Sequence, residues 1–330
     1  MTGDHLLSVV DLKKHFRKGV SWRQSREGDI VRAVDGVNLH ILAGETLGLV
    51  GETGSGKTTL ARCILRTCDV TSGSVVFEGL DITNLGRRQL LQTRRDMQIV
   101  FQDSHGALNP RRRVGQIIGE PMSVHGVAKG DELKHRVHEL MEVVGLNPND
   151  YNRFPGEFSG GQRQRIGLAR AVGLRPKLIV LDEPVSALDS SIQAQILNLM
   201  IDLKNEFKLA YLLISHDLSV VNHLSDRVAV MYAGKIVEMA PTSSLMSDPR
   251  HHYSYSLQSS VRVMKNANAM AEAESPPTNG DVDSGCAFRP RCPASRDLCK
   301  SSEPPLIAVN TEGDHEAACY FPRRGLSPKT

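Results

Sequence analysis

At residues 51–58 the chain reads Gly51-Glu52-Thr53-Gly54-Ser55-Gly56-Lys57-Thr58, which fits the pattern G-x-x-x-x-G-K-S/T at every position. A short apolar stretch, residues 46–50, precedes it, and a helical pattern, residues 57–66, follows it. This order of strand, glycine-rich loop and helix is that of a P-loop, in which backbone N–H groups and the positive end of a helix bind phosphate oxygens. The alternative, a chance glycine-rich turn, is disfavoured by these flanking elements. The sequence therefore predicts a binding site for the phosphates of a nucleotide.

Two side chains of this loop are expected to act on the nucleotide. Lys57 should reach the β- and γ-phosphates, and the Thr58 hydroxyl should bind Mg²⁺. The glycines are needed because they allow the backbone angles that point N–H groups at phosphate. The remaining residues that we expect to bind the nucleotide here are Gly51, Glu52, Thr53, Gly54, Ser55, Gly56 and Thr59.

A second motif follows a run of four apolar residues, Leu178 to Leu181, which ends in the acids Asp182 and Glu183. Acids at the carboxyl end of a buried strand face the ligand crevice of an open α/β sheet. We therefore expect Asp182 to hold Mg²⁺ and Glu183 to polarise the attacking water. The alternative is a strand that simply ends in solvent, and a complete P-loop in the same chain argues against it.

Composition and element order limit the class of protein. Strand patterns alternate with helical patterns, which predicts an α/β fold. The net charge of +3, from 40 basic and 37 acidic residues, is too balanced to indicate nucleic acid as a partner. No apolar run reaches the roughly 18 residues of a membrane span, and residues 1–5 show no signal pattern. We expect a cytosolic chain that reaches a membrane only through a partner.

The chain divides into three predicted segments. A large nucleotide-binding segment covers residues 1–262, with a helical part at about 103–173. In this part Val137, Leu140, Met141 and Val144 recur at the spacing of one helix face, and Gly145 should end that helix. The amino-acid composition then changes, because residues 266–285 are mostly Ala, Asn, Glu, Pro, Ser and Asp with few apolar side chains to bury. We therefore predict a flexible linker at 263–285. A small Cys-rich region, residues 286–330, follows it and is too short for a core of its own.

Four cysteines lie within 34 residues of this region, spaced C-x5-C-x6-C-x19-C, and they are Cys286, Cys292, Cys299 and Cys319. Without an export signal such a cluster indicates a metal before disulfides. Four thiolates suit zinc or an iron–sulfur cluster, although the C-x2-4-C pairs typical of zinc sites are absent. His315 could replace a ligand, but a surface position is the simpler expectation. Cys63 and Cys68 are expected to be inert packing residues.

Between the two nucleotide motifs lies Phe158-Ser159-Gly160-Gly161-Gln162-Arg163-Gln164-Arg165, which resembles the signature sequence of ABC ATPases. Gln102 resembles that family's Q-loop glutamine, residues 186–189 resemble its D-loop, and His216 resembles its switch histidine. The resemblance covers about residues 6–257, with all motifs in the family's order. It implies an ABC-type nucleotide-binding fold with a helical subdomain and an ATPase activity.

The resemblance also implies roles for single residues. Gln102 would bind Mg²⁺ and couple ATP to a permease, and His216 would sense the γ-phosphate. Phe16 would stack on adenine where Tyr is common, although it could equally be a core residue. Phe158 stands where Leu is usual, which should alter packing rather than chemistry. The signature residues expected to close on the nucleotide of a second ATPase chain are Ser159, Gly160, Gly161 and Gln162. Ser159 with two glycines is a second anion cradle, and the alternative is an ordinary helix N-cap.

A finer resemblance is to the ATPase subunits of dipeptide and oligopeptide permeases. It rests on residues 185–197, 226–232 and 285–293, while His251-His252-Tyr253 lacks the proline of that family's His-Pro-Tyr element. It implies import of peptides, with nickel or another small solute as the alternative, and it favours a [4Fe–4S] cluster over zinc.

The implied partners are a second, different ABC ATPase, two permease subunits and an extracytoplasmic solute-binding protein, at the cytoplasmic face of the inner membrane. No nucleic acid is expected. A non-transport ABC ATPase, acting in DNA repair or on ribosomes, is the less favoured alternative. Such proteins usually carry a coiled-coil insertion or two cassettes, and this sequence has one P-loop and one signature.

Overall fold

The computed structural model describes residues 5–17, 30–102, 104–265 and 284–323. In these ranges the strands are β1 (His5–Arg17), β2 (Ile30–Leu42), β3 (Thr46–Val50), β4 (Ser72–Phe77), β5 (Leu80–Asp81), β6 (Met97–Val100), β7 (Leu178–Asp182), β8 (Ala210–Ser215), β9 (Arg227–Tyr232), β10 (Lys235–Pro241), β11 (Ile307–Ala308) and β12 (Glu316–Ala317). The α-helices are α1 (Lys57–Ile64), α2 (Arg87–Asp96), α3 (Ser104–Ala107), α4 (Val114–Val124), α5 (Gly130–Val143), α6 (Gly160–Val172), α7 (Ser190–Phe207), α8 (Leu218–Leu224), α9 (Thr242–Ser247), α10 (His252–Lys265) and α11 (Leu298–Ser301). Short 3-10 helices lie at Pro148–Asn152, Pro155–Glu157 and Arg289–Arg291.

The chain forms two compact units, each assembled from separate stretches of sequence. The first unit comprises Met1–Leu6, Ile41–Thr46 and Asn84–Ser215. The second unit comprises Leu7–His40, Leu47–Thr83 and His216–Thr330. The P-loop and the Cys-rich region therefore share the second unit, whereas Asp182, Glu183 and the signature belong to the first.

The first unit contains parallel strands flanked by helices. Strand β7 pairs with β6 on one side, Leu178 opposite Met97, and with β8 on the other, Leu178 opposite Ala210. Every residue of β7 and β8 is buried, as the continuous apolar run of β7 predicts for a strand covered on both faces. Parallel strands joined by helices confirm the predicted α/β class.

The described part of the predicted helical subdomain is helical. Helices α4, α5 and α6 lie here, with α5 buried through Val137 and Met141, which the helical pattern predicts. Helix α5 ends at Val143, and Gly145 then takes the left-handed conformation, with a φ of 71°. Glycine at this position ends helices at little conformational cost.

The second unit contains strands from both ends of the sequence. One sheet has the order β2-β1-β4-β5. In the other group β3 pairs in parallel with β9, β9 pairs antiparallel with β10, and β10 pairs antiparallel with β12. Strand β12 belongs to the Cys-rich region, and β11 continues the pairing from it. The Cys-rich region is thus joined to this unit by backbone hydrogen bonds.

The predicted linker is described only at its ends. Helix α10 continues to Lys265, past the expected start of the linker at 263, and residues 266–283 lie outside the described residues. The boundaries 1–262, 263–285 and 286–330 stay predictions. Among the helices that the structure describes, none combines the length and the apolar character needed to cross a membrane.

Candidate functional site

The P-loop has the strand, loop and helix that its sequence predicts. Strand β3 is buried throughout and α1 begins at Lys57, directly after the loop. Gly56 has a φ of 110°, and a Cβ there would lie 2.0 Å from the Ala33 carbonyl oxygen. A Cβ on Gly51 would lie 2.2 Å from the Met231 carbonyl oxygen. These glycines are needed because backbone from other strands of the same unit packs directly against the loop.

Lys57 is the buried cation of this loop. Its ammonium group donates hydrogen bonds to the carbonyl oxygens of Gly51, at 2.8 Å, and Glu52, at 2.9 Å. The Ser55 hydroxyl lies 3.5 Å away. The amine is therefore held over the loop that is expected to carry the phosphates. Thr58, the predicted Mg²⁺ ligand, is the second residue of α1 and is exposed.

Two side chains for which the sequence predicts no contact with the nucleotide site also reach the P-loop. The Glu52 N–H donates to the Tyr253 hydroxyl at 2.8 Å, and the Glu52 carboxylate accepts two hydrogen bonds from Arg291 at 2.8 and 2.9 Å. Tyr253 and Arg291 lie 201 and 239 residues further along the chain. No local spacing signals such contacts, so sequence patterns miss them.

The predicted carboxylates lie where β7 ends. Asp182 is the buried last residue of β7, and Glu183 follows it with a φ of 47°. A positive φ is uncommon for a residue other than glycine, and such strain concentrates at functional sites. The Glu183 N–H donates to the Ile214 carbonyl oxygen at 2.9 Å, which ties this turn to β8.

Gln102 and Glu183 are brought together although they are 81 residues apart in sequence. The Gln102 amide nitrogen donates to the Glu183 carboxylate at 2.8 Å. Both side chains belong to the first unit, and Gln102 lies just past the end of β6. The sequence predicted both residues as functional but not this direct bond. The bond orients the carboxylate and leaves the amide oxygen of Gln102 as the acceptor atom of that side chain.

The signature forms a helix N-terminus with a capping box. The Ser159 hydroxyl accepts from the Gln162 N–H at 3.3 Å, and the Gln162 side chain accepts from the Ser159 N–H at 2.9 Å. Ser159 is therefore the N-cap of α6 in this structure. A Cβ on Gly161 would lie 2.5 Å from the Ile192 Cγ2 of α7, which gives this glycine a packing role that the sequence does not indicate.

Three further predicted residues occupy distinct environments. Phe158 is buried, with the Arg153 guanidinium 4.7 Å from its ring centroid, which agrees with a packing role. Phe16 is 41% exposed, so the alternative that it is a core residue is wrong. His216 is exposed and directly precedes Asp217, the N-cap of α8.

Comparisons with known proteins agree with these motifs. The family model described as "ABC transporter" matches residues 34–186, and the one described as "Oligopeptide/dipeptide transporter, C-terminal region" matches residues 237–299. The chain is 44% identical to the oligopeptide transport ATP-binding protein AppF of Bacillus subtilis, over 96% of this chain and 97% of AppF. It is 46% identical to the "Probable peptide ABC transporter ATP-binding protein y4tS" of Sinorhizobium fredii, over 93% of this chain and 87% of that protein. The chain belongs to the ABC transporter ATP-binding proteins.

Solved structures of ABC cassettes share the fold. The dimeric ATP-binding cassette MJ0796, bound to ADP and Pi, is similar with a TM-score of 0.63 and 27% identity, over 72% of this chain and 98% of that one. The predicted ABC-type α/β cassette is thereby confirmed.

The four cysteines of this ABC ATPase's Cys-rich region line one small cavity, together with His251, His252 and Phe288 among others. All four are free thiols, and the Cys286 N–H donates to the Cys299 carbonyl oxygen at 2.9 Å. Burial raises the pKa of Cys319 to about 11, and it also raises the pKa of Cys286 and of Cys292. Burial disfavours the charged thiolate, so these thiols hold their protons.

The structure shows no metal-binding arrangement of these cysteines in the part of the chain that it describes. In residues 5–17, 30–102, 104–265 and 284–323, no three His, Cys, Asp or Glu side chains are placed so that they could hold a metal ion. His315 is neither at the surface nor among the cysteines, because it is buried and bonded to Glu238 at 2.7 Å. Cys63 is fully buried in α1, as expected for a packing residue, and burial raises its pKa to about 12.

Proposed function

We propose that this ABC ATPase binds and hydrolyses ATP to drive a membrane importer of dipeptides or oligopeptides. The observation that carries the proposal is the Gln102–Glu183 hydrogen bond at the end of β7, in a chain with a complete P-loop. A carboxylate oriented in this way, next to a buried aspartate, is suited to polarise water for phosphoryl transfer. Relatives named as peptide or oligopeptide transport ATP-binding proteins support the cargo class.

The P-loop and the polar residues that follow β6 and β7 have separate roles in the proposed chemistry. In the second unit the P-loop N–H groups and Lys57 bind the phosphates, and Thr58 offers a hydroxyl to Mg²⁺. In the first unit Asp182 and Gln102 offer oxygens to Mg²⁺, and Glu183 accepts a proton from the attacking water. Mg²⁺, when bound, neutralises charge that develops on the phosphates. Phe16, exposed near the end of β1, stacks on adenine, and His216 contacts the γ-phosphate.

The proposed complex contains a second, different ABC ATPase, two permease subunits and an extracytoplasmic binding protein. Ser159, Gly160, Gly161 and Gln162 act on the partner ATPase's nucleotide, and Gln102 couples hydrolysis to the permease. The chain lies at the cytoplasmic face of the inner membrane as a peripheral subunit. The change Ser159→Arg should leave ATP binding to the isolated chain intact and should lower hydrolysis in the assembled complex. Full hydrolysis by that complex would contradict the partner role.

The test of cargo uses proteoliposomes that contain the permease subunits and both ATPases. ATP-dependent uptake of labelled dipeptides or oligopeptides, lost in the Lys57→Ala variant, would support the proposal. Uptake of nickel or another small solute without peptide uptake would show that the cargo is that solute and not a peptide. ATP hydrolysis that is stimulated by DNA or ribosomes and indifferent to the permease would favour the non-transport alternative.

We also propose a metal centre at Cys286, Cys292, Cys299 and Cys319, a [4Fe–4S] cluster in preference to zinc. The supporting observation is that all four thiols are free and line the same cavity. Four thiolates are the ligand set of either group. Anaerobic purification followed by iron and zinc analysis tests this. A brown protein with about four irons per chain supports the cluster, one zinc supports zinc, and a folded, metal-free chain refutes both.

A further inference from the structure

The Cys-rich region makes direct contact with the nucleotide-binding loop. Arg291, in the 3-10 helix Arg289–Arg291, donates two parallel hydrogen bonds to the Glu52 carboxylate at 2.8 and 2.9 Å. Both side chains are 28% exposed, so the pair is partly screened from water. A bidentate arginine–carboxylate pair is stronger and more directional than a single hydrogen bond. The contact is thus specific in geometry as well as in charge.

The position of Arg291 is determined by the aromatic residue that precedes its 3-10 helix. Phe288 is 3% exposed, and its ring centroid lies 5.4 Å from those of both Tyr232 and Tyr253. The Arg291 N–H donates to the Phe288 carbonyl oxygen at 3.1 Å. Phe288 therefore anchors this turn on β9 and α10, and the turn presents the guanidinium to Glu52.

Tyr253 holds the same loop residue from a second side. Its hydroxyl accepts the Glu52 N–H at 2.8 Å, and its ring contacts both Tyr232 and Phe288. The backbone N–H of Glu52 is thus bonded to a residue of α10, and its side chain is bonded to a residue of the Cys-rich region. Glu52 is the second residue of the P-loop, and its own N–H points to Tyr253 in this structure.

The charge of Glu52 has a consequence for nucleotide binding. The loop binds a polyanion, and a carboxylate within that loop opposes the phosphates unless a cation neutralises it. Lys57 is bonded to carbonyl oxygens of the loop. The cation that pairs with the Glu52 carboxylate comes from the Cys-rich region, in the form of Arg291.

We propose that Arg291 is a positioning residue for ATP, which acts through Glu52 by neutralising its carboxylate and holding the start of the P-loop in its binding conformation. The Cys-rich region is then part of the nucleotide site's support, and a change in its folding is transmitted to ATP affinity. This inference rests on the proposed binding of ATP by the P-loop.

The test measures binding of Mg²⁺–AMP-PNP to the full chain by isothermal titration calorimetry. Arg291→Ala should weaken binding about tenfold, because it leaves a partly buried carboxylate unpaired beside the phosphates. Arg291→Lys should retain part of the affinity, since lysine keeps the charge without the bidentate geometry. The matched control is Arg296→Ala, an arginine of the same region that stacks on Phe321 at 4.2 Å. It should bind like the wild type.

The double variant Glu52→Gln, Arg291→Ala separates charge from general damage. If the unpaired carboxylate causes the loss, the double variant should recover most of the affinity that Arg291→Ala loses. If Arg291 only stabilises the fold of its region, Glu52→Gln cannot repair it and the double variant stays weak, which overturns the proposal. Wild-type affinity for Arg291→Ala also overturns it. A wild-type chain that fails to bind Mg²⁺–AMP-PNP would instead refute the proposed function.

In the assembled ATPase complex Arg291→Ala should raise the KM for ATP and leave kcat within about twofold. This split is expected because Arg291 touches neither the attacking water nor Glu183, and it acts on binding alone. A fall in kcat with an unchanged KM would contradict a role in nucleotide positioning.

Discussion

The nucleotide motifs and the Cys-rich region differ in how far apart in sequence their stabilising contacts lie. Lys57 bonds to Gly51 and Glu52 within its own loop, and Ser159 caps the helix that it begins. The Cys-rich region instead depends on partners such as Glu238, 77 residues before His315, and Glu52, 239 residues before Arg291. Short stretches of sequence therefore suffice to predict the nucleotide motifs, whereas they do not predict the environment of the Cys-rich region.

Glu238 shows how closely the Cys-rich region is joined to its unit. This carboxylate is fully buried on β10 and accepts hydrogen bonds from the Arg250 and His251 N–H groups at 2.6 and 2.9 Å. His315 is bonded to it at 2.7 Å. One buried acid thus joins β10, the residues just before α10 and the segment before β12, so the region is a packed part of the second unit.

The largest effect is expected in the nucleotide motifs, at the carboxylate that accepts the proton of the attacking water. Glu183→Gln keeps the shape but removes the charge that accepts the water's proton, so hydrolysis by the complex should fall about 1000-fold while ATP still binds. Phosphate release under saturating ATP measures the rate, and calorimetry measures the binding. Glu206→Gln, an exposed glutamate of the same unit, is the control and should retain full activity. Full turnover by the Glu183 variant would remove this residue from the role.

A large effect on stability is expected in the Cys-rich region. Glu238→Ala leaves the Arg250 and His251 N–H groups and the buried His315 without their acceptor, which should cost about 3 kcal/mol in the free energy of unfolding. Urea denaturation and hydrogen exchange of residues 307–317 measure this. Glu312→Ala, at an exposed position, should leave both unchanged. Unchanged protection of β12 in the Glu238 variant would mean that this region does not depend on the buried acid.

A smaller effect separates the two glycines of the signature. A Cβ at position 161 would lie 2.5 Å from Ile192, and one at position 160 would lie 3.3 Å from Leu188. Gly161→Ala should therefore destabilise the chain by about 1–3 kcal/mol, because a branched side chain on α7 must move. Gly160→Ala should destabilise the chain less, because the Leu188 side chain need move only slightly. Equal unfolding midpoints for the two variants would remove the packing role of Gly161.

The smallest effect is expected at the cap of α6. Ser159→Ala removes the acceptor for the Gln162 N–H and should cost about 1 kcal/mol in the free energy of unfolding. Ser159→Asn keeps an acceptor at this position and should restore most of that stability. If thermal denaturation does not distinguish alanine from asparagine, the capping box contributes nothing measurable, and Ser159 serves only the signature's proposed function.

The sequence by itself determined the features that depend on neighbouring residues. The P-loop and the helix after it follow from glycine spacing, and the buried strand before Asp182 follows from a continuous apolar run. The α5 helix and its end at Gly145 follow from periodicity and from one residue that accepts positive φ. These features are predictable because the hydrogen bonds and dihedral preferences behind them act within a few residues.

Tertiary structure alone decided which distant side chains meet. The Gln102–Glu183 bond requires β6 and β7 to lie side by side, and the Arg291–Glu52 pair requires Phe288 to be packed on β9 and α10. The buried place of His315 depends likewise on the pairing of β10 with β12. Such contacts form when apolar surfaces from separate stretches are buried together, and no local pattern records which surfaces those are.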